Sequence, residues 1–269
     1  MGRCAEGRLS FERVGDRTVA RAVYAESPLR LLTPRSRGPG AVVFTSTFGG
    51  GMLDGDEVSI DVSVAAGARA GLFSQGPTRV FRSPSGVRSA LTARVAADGA
   101  LVLAPDPVAC FADARFEQRT TVDLAPGGSL VLQEVLSAGR DGFRLSRYHS
   151  AISVRREGRA LIDEALLLDQ AHGPVAARLG RFKAVATLIV IGPRFQELRE
   201  AASRRVESVA LSREAALVQA ASPLGDDGLV LRVAGETLEE VQRALRGHLR
   251  TIPAFLGNDP WRRDAPLAA

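Results

Sequence analysis

Three segments of this chain repeat one pattern, and that pattern narrows the fold more than any other feature. Asp61-Val62-Ser63-Val64-Ala65-Ala66-Gly67-Ala68 reads as an alternating strand, a turn of small residues, a glycine and the start of a second strand. Thr92-Ala93-Arg94-Val95-Ala96-Ala97-Asp98-Gly99-Ala100 and Thr121-Val122-Asp123-Leu124-Ala125-Pro126-Gly127-Gly128-Ser129 read the same way. Gly67, Gly99 and Gly128 thus recur about every 30 residues, a period of stacked repeats. One such unit leaves an apolar face in water, and stacking its neighbours buries it. The expectation is a solenoid-like stack of β layers. Three separate hairpins of similar composition are the alternative.

Alternation at Val58–Val64, Leu101–Leu103, Thr120–Leu124, Leu130–Leu132 and Ile152–Val154 marks further strand segments. After residue 180 the pattern changes. Ala184–Ile191 is a continuous apolar run, suited to a strand buried on both faces. Gly192-Pro193 then opens a helix with Phe195, Leu198 and Ala202 on one face. Strands at Ala215–Ala221 and Leu229–Val233 follow, joined by a turn over Pro223–Gly228. Thr237-Leu238-Glu239-Glu240 is a capping box. Its helix carries Leu238, Val241, Leu245 and Leu249 in register and ends near Pro253. The fold class is mainly β (α+β): stacked, antiparallel or mixed β layers with a C-terminal β-α-β-β-α portion. With no linker-like stretch, residues 1–269 read as one domain, 1–180 a β-rich layer and 181–269 a second sub-layer.

Charge bears on the partner class. Net charge is +5 and the pI about 10.1, which invites a nucleic-acid reading. Yet Lys183 is the only lysine, the arginines are scattered beside acids, and only 5% of residues are aromatic. That leaves no basic run and few stacking platforms, so no nucleic-acid partner is expected. No apolar run approaches the roughly 18–20 residues of a membrane span. The N-terminus has no apolar signal-peptide core. A soluble, cytoplasmic protein without a membrane partner is expected. Cys4 and Cys110 read as a free surface thiol and a small core residue.

Catalytic motifs are missing. No Gly-x-Ser-x-Gly elbow accompanies the histidines. His149 falls on a strand, His172 in a Gly-Pro loop, and His248 near a helix C-terminus, where a partly positive imidazole is favoured. Gly49-Gly50-Gly51 lacks the Gly-Lys-Ser/Thr of a phosphate loop. Asp54-Gly55-Asp56 matches the start of a calcium loop whose other ligand positions are absent. No tight metal site and no tightly bound cofactor are expected. Carboxylates remain: Asp54 and Asp56 in the glycine-rich turn, and Glu134 interrupting the apolar strand Leu130–Leu136. Glu134 either faces solvent or is buried beside a partner such as Arg140. Lining an internal path, these residues would offer exchangeable oxygen ligands to a divalent ion in transit.

In order along the chain, several segments resemble the UreD (UreH) family of urease accessory proteins. They begin with Gly50-Gly51-Met52-Leu53-Asp54-Gly55-Asp56, the strand Val58–Val64, and Gly67-Ala68. Thr78-Arg79-Val80-Phe81-Arg82 and the proline loop from Pro105 to Phe111 follow. Then come Phe116–Leu124, the stretch Glu134-Val135-Leu136-Ser137-Ala138-Gly139-Arg140, and a C-terminal helix leading to Pro253 and Trp261. Two positions depart from the family pattern: Phe48, where a proline is usual, and Gly142-Phe143, where Gly-Glu is frequent. The resemblance implies a non-enzymatic nickel-delivery scaffold. It would bind apo-urease and UreF, recruit the GTPase UreG through UreF, and pass nickel through an interior channel. Asp54, Asp56 and Glu134, acidic groups in apolar or glycine-rich surroundings, are the residues expected to line a transient nickel path. Gly50, Gly51, Gly55, Gly67, Thr78, Arg79, Gly139 and Arg140 would be motif positions. A β-solenoid hydrolase using Asp54, Asp56 and Glu134 as acid and base, or a basic nucleic-acid module, are the readings from other classes.

Overall fold

The computed structural model describes residues 2–36, 38–47, 50–140, 142–209 and 212–262. Phe48 and Gly49 of the glycine-rich turn lie outside the described residues. The chain opens with β1 (Cys4–Val14), β2 (Arg17–Ala25), β3 (Leu29–Leu32) and β4 (Ala41–Thr47). Then follow β5 (Glu57–Val64), β6 (Arg69–Ser74), β7 (Thr78–Val80), β8 (Val87–Val95), β9 (Ala100–Leu103) and β10 (Val108–Cys110). Next are β11 (Arg115–Leu124), β12 (Ser129–Ser137), β13 (Arg147–Arg156) and β14 (Arg159–Asp169). The rest is α1 (Val175–Leu179), β15 (Ala184–Ile191), α2 (Gln196–Glu207), β16 (Leu217–Leu224), β17 (Gly228–Gly235), α3 (Leu238–His248) and α4 (Ile252–Leu256).

The stack is real, and it is parallel. The first sheet has the order β14-β13-β11-β8-β5-β1-β2, with β1, β5, β8, β11 and β13 parallel in register. The second runs β16-β17-β15-β12-β9-β6-β4-β3, with β4, β6, β9 and β12 parallel. Hairpins would have paired the repeats antiparallel, so the hairpin alternative is ruled out. Antiparallel pairing is confined to the outer strands of both sheets. β7 and β10 pair in parallel along a short third side, joined by a bridge from Met52 to Val80.

The repeat register needs one correction. The equivalent turn positions are Gly67, Asp98 and Gly127, all with positive φ (68°, 55° and 74°). Each turn closes three residues apart, Ala65 to Ala68, Ala96 to Gly99 and Ala125 to Gly128, at 3.1, 3.0 and 2.9 Å. Gly99 and Gly128 therefore follow the left-handed position that Gly67 itself fills. The turns stack through their own backbones: Ala100 N donates to Ala68 O and Ser129 N to Gly99 O, both at 2.9 Å.

Inward-facing residues of both sheets form one core, with Phe11, Leu101, Leu130 and Val154 fully buried in it. The opposite face of the second sheet carries the helices. Leu198 and Ala202 of α2, Val241 and Leu245 of α3 and Leu256 of α4 pack on Phe73, Val102, Leu188 and Leu231. The capping box forms as expected, with Thr237 and Glu240 bonded reciprocally. Two boundaries shift. Pro223 belongs to β16, opposite Leu229, and an edge strand tolerates its missing N–H. Pro253 does not end the helical stretch; it sits in the first turn of α4, where a missing N–H costs nothing. Phe143, the second departure from the family pattern, is a core residue.

Candidate functional site

Between the two sheets lies one polar layer. In β8, β11 and β13 the inward positions are mostly apolar, with Ser89, Gln118, Thr120 and Ser150 as polar members; Gln118 pairs with Ser89 and with Ser150 as neighbours across the first sheet. Facing them from the second sheet are Thr45 beside Ser74, and Glu134 beside Thr187 beside Arg232. Most of the other inner residues on these strands are aliphatic. Three cavities follow this layer. The first, about 530 Å³, is lined by Glu134, Ser150, Glu164, Thr187 and Arg232. The second, about 150 Å³, is lined by Glu134, Gln118, Thr120, Ser89, Ser74 and Thr45. The third, about 360 Å³, shares Thr45, Ser74, Thr78 and Ser89 with the second and ends at Gly50, Met52 and Arg79.

Glu134 stands where the first two cavities meet. Of the two expectations for it, burial beside a partner holds and the solvent face does not, but the partner is not Arg140, which is exposed. Instead Ser150 Oγ donates to Glu134 Oε2 at 2.5 Å and Thr120 Oγ1 to Oε1 at 3.2 Å. Gln118 Nε2 donates to Ser150 Oγ at 3.1 Å and to Tyr148 Oη at 3.0 Å, so the hydroxyls are themselves held. Burial raises the Glu134 carboxyl above the ordinary carboxylate range, and the hydrogen bonds from Ser150, Gln118 and Thr120 partly counter it. Burial likewise pushes the Tyr148 phenol well up. A carboxylate ringed by hydroxyls and an amide offers oxygen donors and no soft ligand. Such a set binds a borderline cation weakly and reversibly. Among the described residues no three His, Cys, Asp or Glu side chains converge as a metal-holding group.

Asp54 and Asp56 are elsewhere. Asp56 is 7% exposed and accepts from Arg3 N at 3.0 Å and Leu53 N at 2.8 Å. Asp54 Oδ1 accepts from Ser85 N at 2.8 Å. Both tie down the turn before β5 and neither lines the three cavities, so the acids needed for acid–base chemistry with Glu134 are not assembled. The motif residues do converge. Met52 N donates to Arg79 O at 2.8 Å, and Phe81 N to Met52 O at 3.0 Å. Gly51 is required here, since a Cβ would lie 2.6 Å from the Phe81 ring and 2.7 Å from Arg79 O. Phe81 stacks on Phe111 at 5.2 Å, which brings the proline loop to the same corner. Thr78 N donates to Pro107 O at 3.0 Å, and Gly55 N to Gly86 O at 2.9 Å. Gly67 turns the first repeat, and Gly139 with Arg140 leaves β12 at the surface.

Ser89, Gln118, Ser150, Thr187, Glu164 and Arg232 were not anticipated. A signal for three of them was present: Ser89, Gln118 and Ser150 recur at nearly the spacing of the turns. The histidines stand apart from the layer. His149 Nδ1 lies 3.8 Å from Glu117 on the outer face, and His172 ends a short 3₁₀ segment. His248 departs from expectation: it is buried, and desolvation, with Arg205 nearby, lowers it to about 4. Cys4 is exposed and Cys110 buried, both as free thiols. No described helix is long and apolar enough to cross a membrane.

The comparisons with known proteins agree with one another. A family model described as UreD urease accessory protein matches residues 3–264. A urease accessory protein UreD of Sorangium cellulosum (strain So ce56) is 45% identical, covering 97% of this chain and 85% of its own. One of Anaeromyxobacter sp. (strain Fw109-5) is 39% identical, covering 97% and 90%. Urease accessory protein D of Oryza sativa subsp. indica is 28% identical, covering 96% and 95%. The chain belongs to the UreD family of urease accessory proteins, which supports a role in urease maturation.

Proposed function

We propose that the chain is a non-catalytic scaffold that binds apo-urease and UreF, recruits UreG through UreF, and passes nickel along the polar layer between its sheets. The observation that carries this reading is the run of three abutting cavities, floored by oxygen donors within an otherwise apolar interior. A buried layer of hydroxyls around one carboxylate, even hydrogen-bonded as Ser150 and Thr120 are to Glu134, costs desolvation that an apolar layer would not. Transit of a hydrated cation gives that cost a use. Glu134 is the central ligand on this reading. Asp54 and Asp56 contribute at the far mouth by holding the turn that presents Gly50 and Arg79, beside the path rather than in it. The cytoplasm is where such a protein would meet its partners.

The test is urease nickel content in cells carrying the urease genes, with this chain deleted and then restored as wild type or variant. Deletion is expected to leave urease without nickel. Glu134→Gln is expected to lower nickel content severalfold while the complex with UreF and urease still assembles. Asp56→Ala is expected to act through lost stability and lost assembly. Full nickel loading in the deletion strain would overturn the reading.

A further inference from the structure

Arg232 and Glu164 meet across the open side of the first cavity, one from each sheet. Arg232 Nη2 lies 2.9 Å from Glu164 Oε2, with Arg232 on β17 and Glu164 on the edge strand β14. The guanidinium side chain is 55% exposed and the carboxylate 19%. Arg232 is the one cation among the described residues lining this cavity. Behind it, on successive strands, come Thr187 and then Glu134. Two strand spacings separate Arg232 from Glu134, roughly 10 Å. A cation entering from this side therefore meets a positive charge first, and the nearest carboxylate is already neutralised by it.

We propose that the Arg232–Glu164 pair is a charge latch on this mouth, an inference that rests on the passage reading above. While paired, Arg232 repels a divalent cation and occupies the oxygens of Glu164. A carboxylate on a docking protein can draw the half-exposed guanidinium outward. That frees Glu164 as the first oxygen ligand, ahead of Thr187 and Glu134. Entry is thereby tied to the presence of a partner with an acidic side chain at this rim, and the isolated chain stays shut.

Purified full-length chain with Mn²⁺ as a paramagnetic probe tests the latch. The readout is broadening of the Leu136 and Val185 methyl signals, which line the cavity, with Leu188 methyls in the helix-side core reporting an intact fold. Arg232→Gln is expected to raise the broadening about two- to fivefold, the range that a partly exposed charge pair commands. Arg232→Lys keeps the charge and is expected to stay near wild type. The double variant Arg232→Gln with Glu164→Gln is expected to lose the gain. Equal broadening in wild type and Arg232→Gln, a rise in Arg232→Lys matching that in Arg232→Gln, or a gain that persists in the double variant overturns the latch. None of these measurements involves urease. A latch that behaves as described beside a deletion strain with fully loaded urease would sink the delivery reading alone; the reverse result would sink the latch alone.

Discussion

His248 shows what one buried side chain asks of the fold. On α3 it is 4% exposed, its Nε2 is 2.7 Å from Gln219 Oε1, and its Nδ1 is buried with no partner. Desolvation favours the neutral ring and lowers it from 6.5 to about 4. Between those values the unfolded chain takes up a proton that the native chain does not. Stability is therefore lost as pH falls through this window and levels off below it. At about 1.36 kcal/mol per unit the full loss is on the order of 3 kcal/mol. Between pH 7 and pH 5 the wild type is expected to lose about 2 kcal/mol more than His248→Gln in urea unfolding. Identical losses would mean that the imidazole is not held neutral.

At the scale of the element, the repeated turn does the work. Each turn needs one residue at positive φ and a narrow path for the rung stacked on it. Gly127 fills that place at φ 74°, with Asp98 of the neighbouring turn against it. Gly127→Ala is expected to cost about 1–2 kcal/mol, the penalty of left-handed backbone for a residue with a Cβ. It should appear as a lower urea midpoint at an unchanged slope. Asp98 already accepts this conformation with a side chain present, so Asp98→Gly is expected to leave the midpoint equal or higher. A midpoint unmoved by Gly127→Ala would remove backbone strain from the account of these turns.

For the whole molecule, the second sheet matters most because both its faces are covered. Leu132 points to the inter-sheet core and Leu188 to the helical layer, 1% and 0% exposed on neighbouring strands. The C-terminal strands β15, β17 and β16 extend the sheet that β4, β6, β9 and β12 begin. Neither core can be lost without unpairing that sheet. Leu132→Ala and Leu188→Ala are each expected to cost about 2–5 kcal/mol, and both should shift one shared unfolding transition. Two separate transitions, each sensitive to only one substitution, would show two independent units.

The sequence determined the local features because each has a local cause. Alternation placed β5, β9, β11, β12 and β13, small turn residues set the repeat, the capping box at Thr237 started α3, and the ordered motifs pointed to the family, while β1 to β4, β7, β10 and β14 carried no signal read from the sequence. Boundaries slipped where a local rule has a tertiary exemption: Pro223 is tolerated because its strand is an edge, and Pro253 because a new helix begins beneath it. The surroundings of Glu134 were decided by tertiary structure alone. Its neighbours come from β11, β13, β14, β15 and β17, and only parallel stacking of distant rungs brings a serine, a threonine and a glutamine onto one carboxylate. The same holds for His248, whose charge depends on what packs over it rather than on its place near a helix end. Spacing along a chain encodes the period of a stack, but the environment of a side chain is set by the strands that come to lie opposite it.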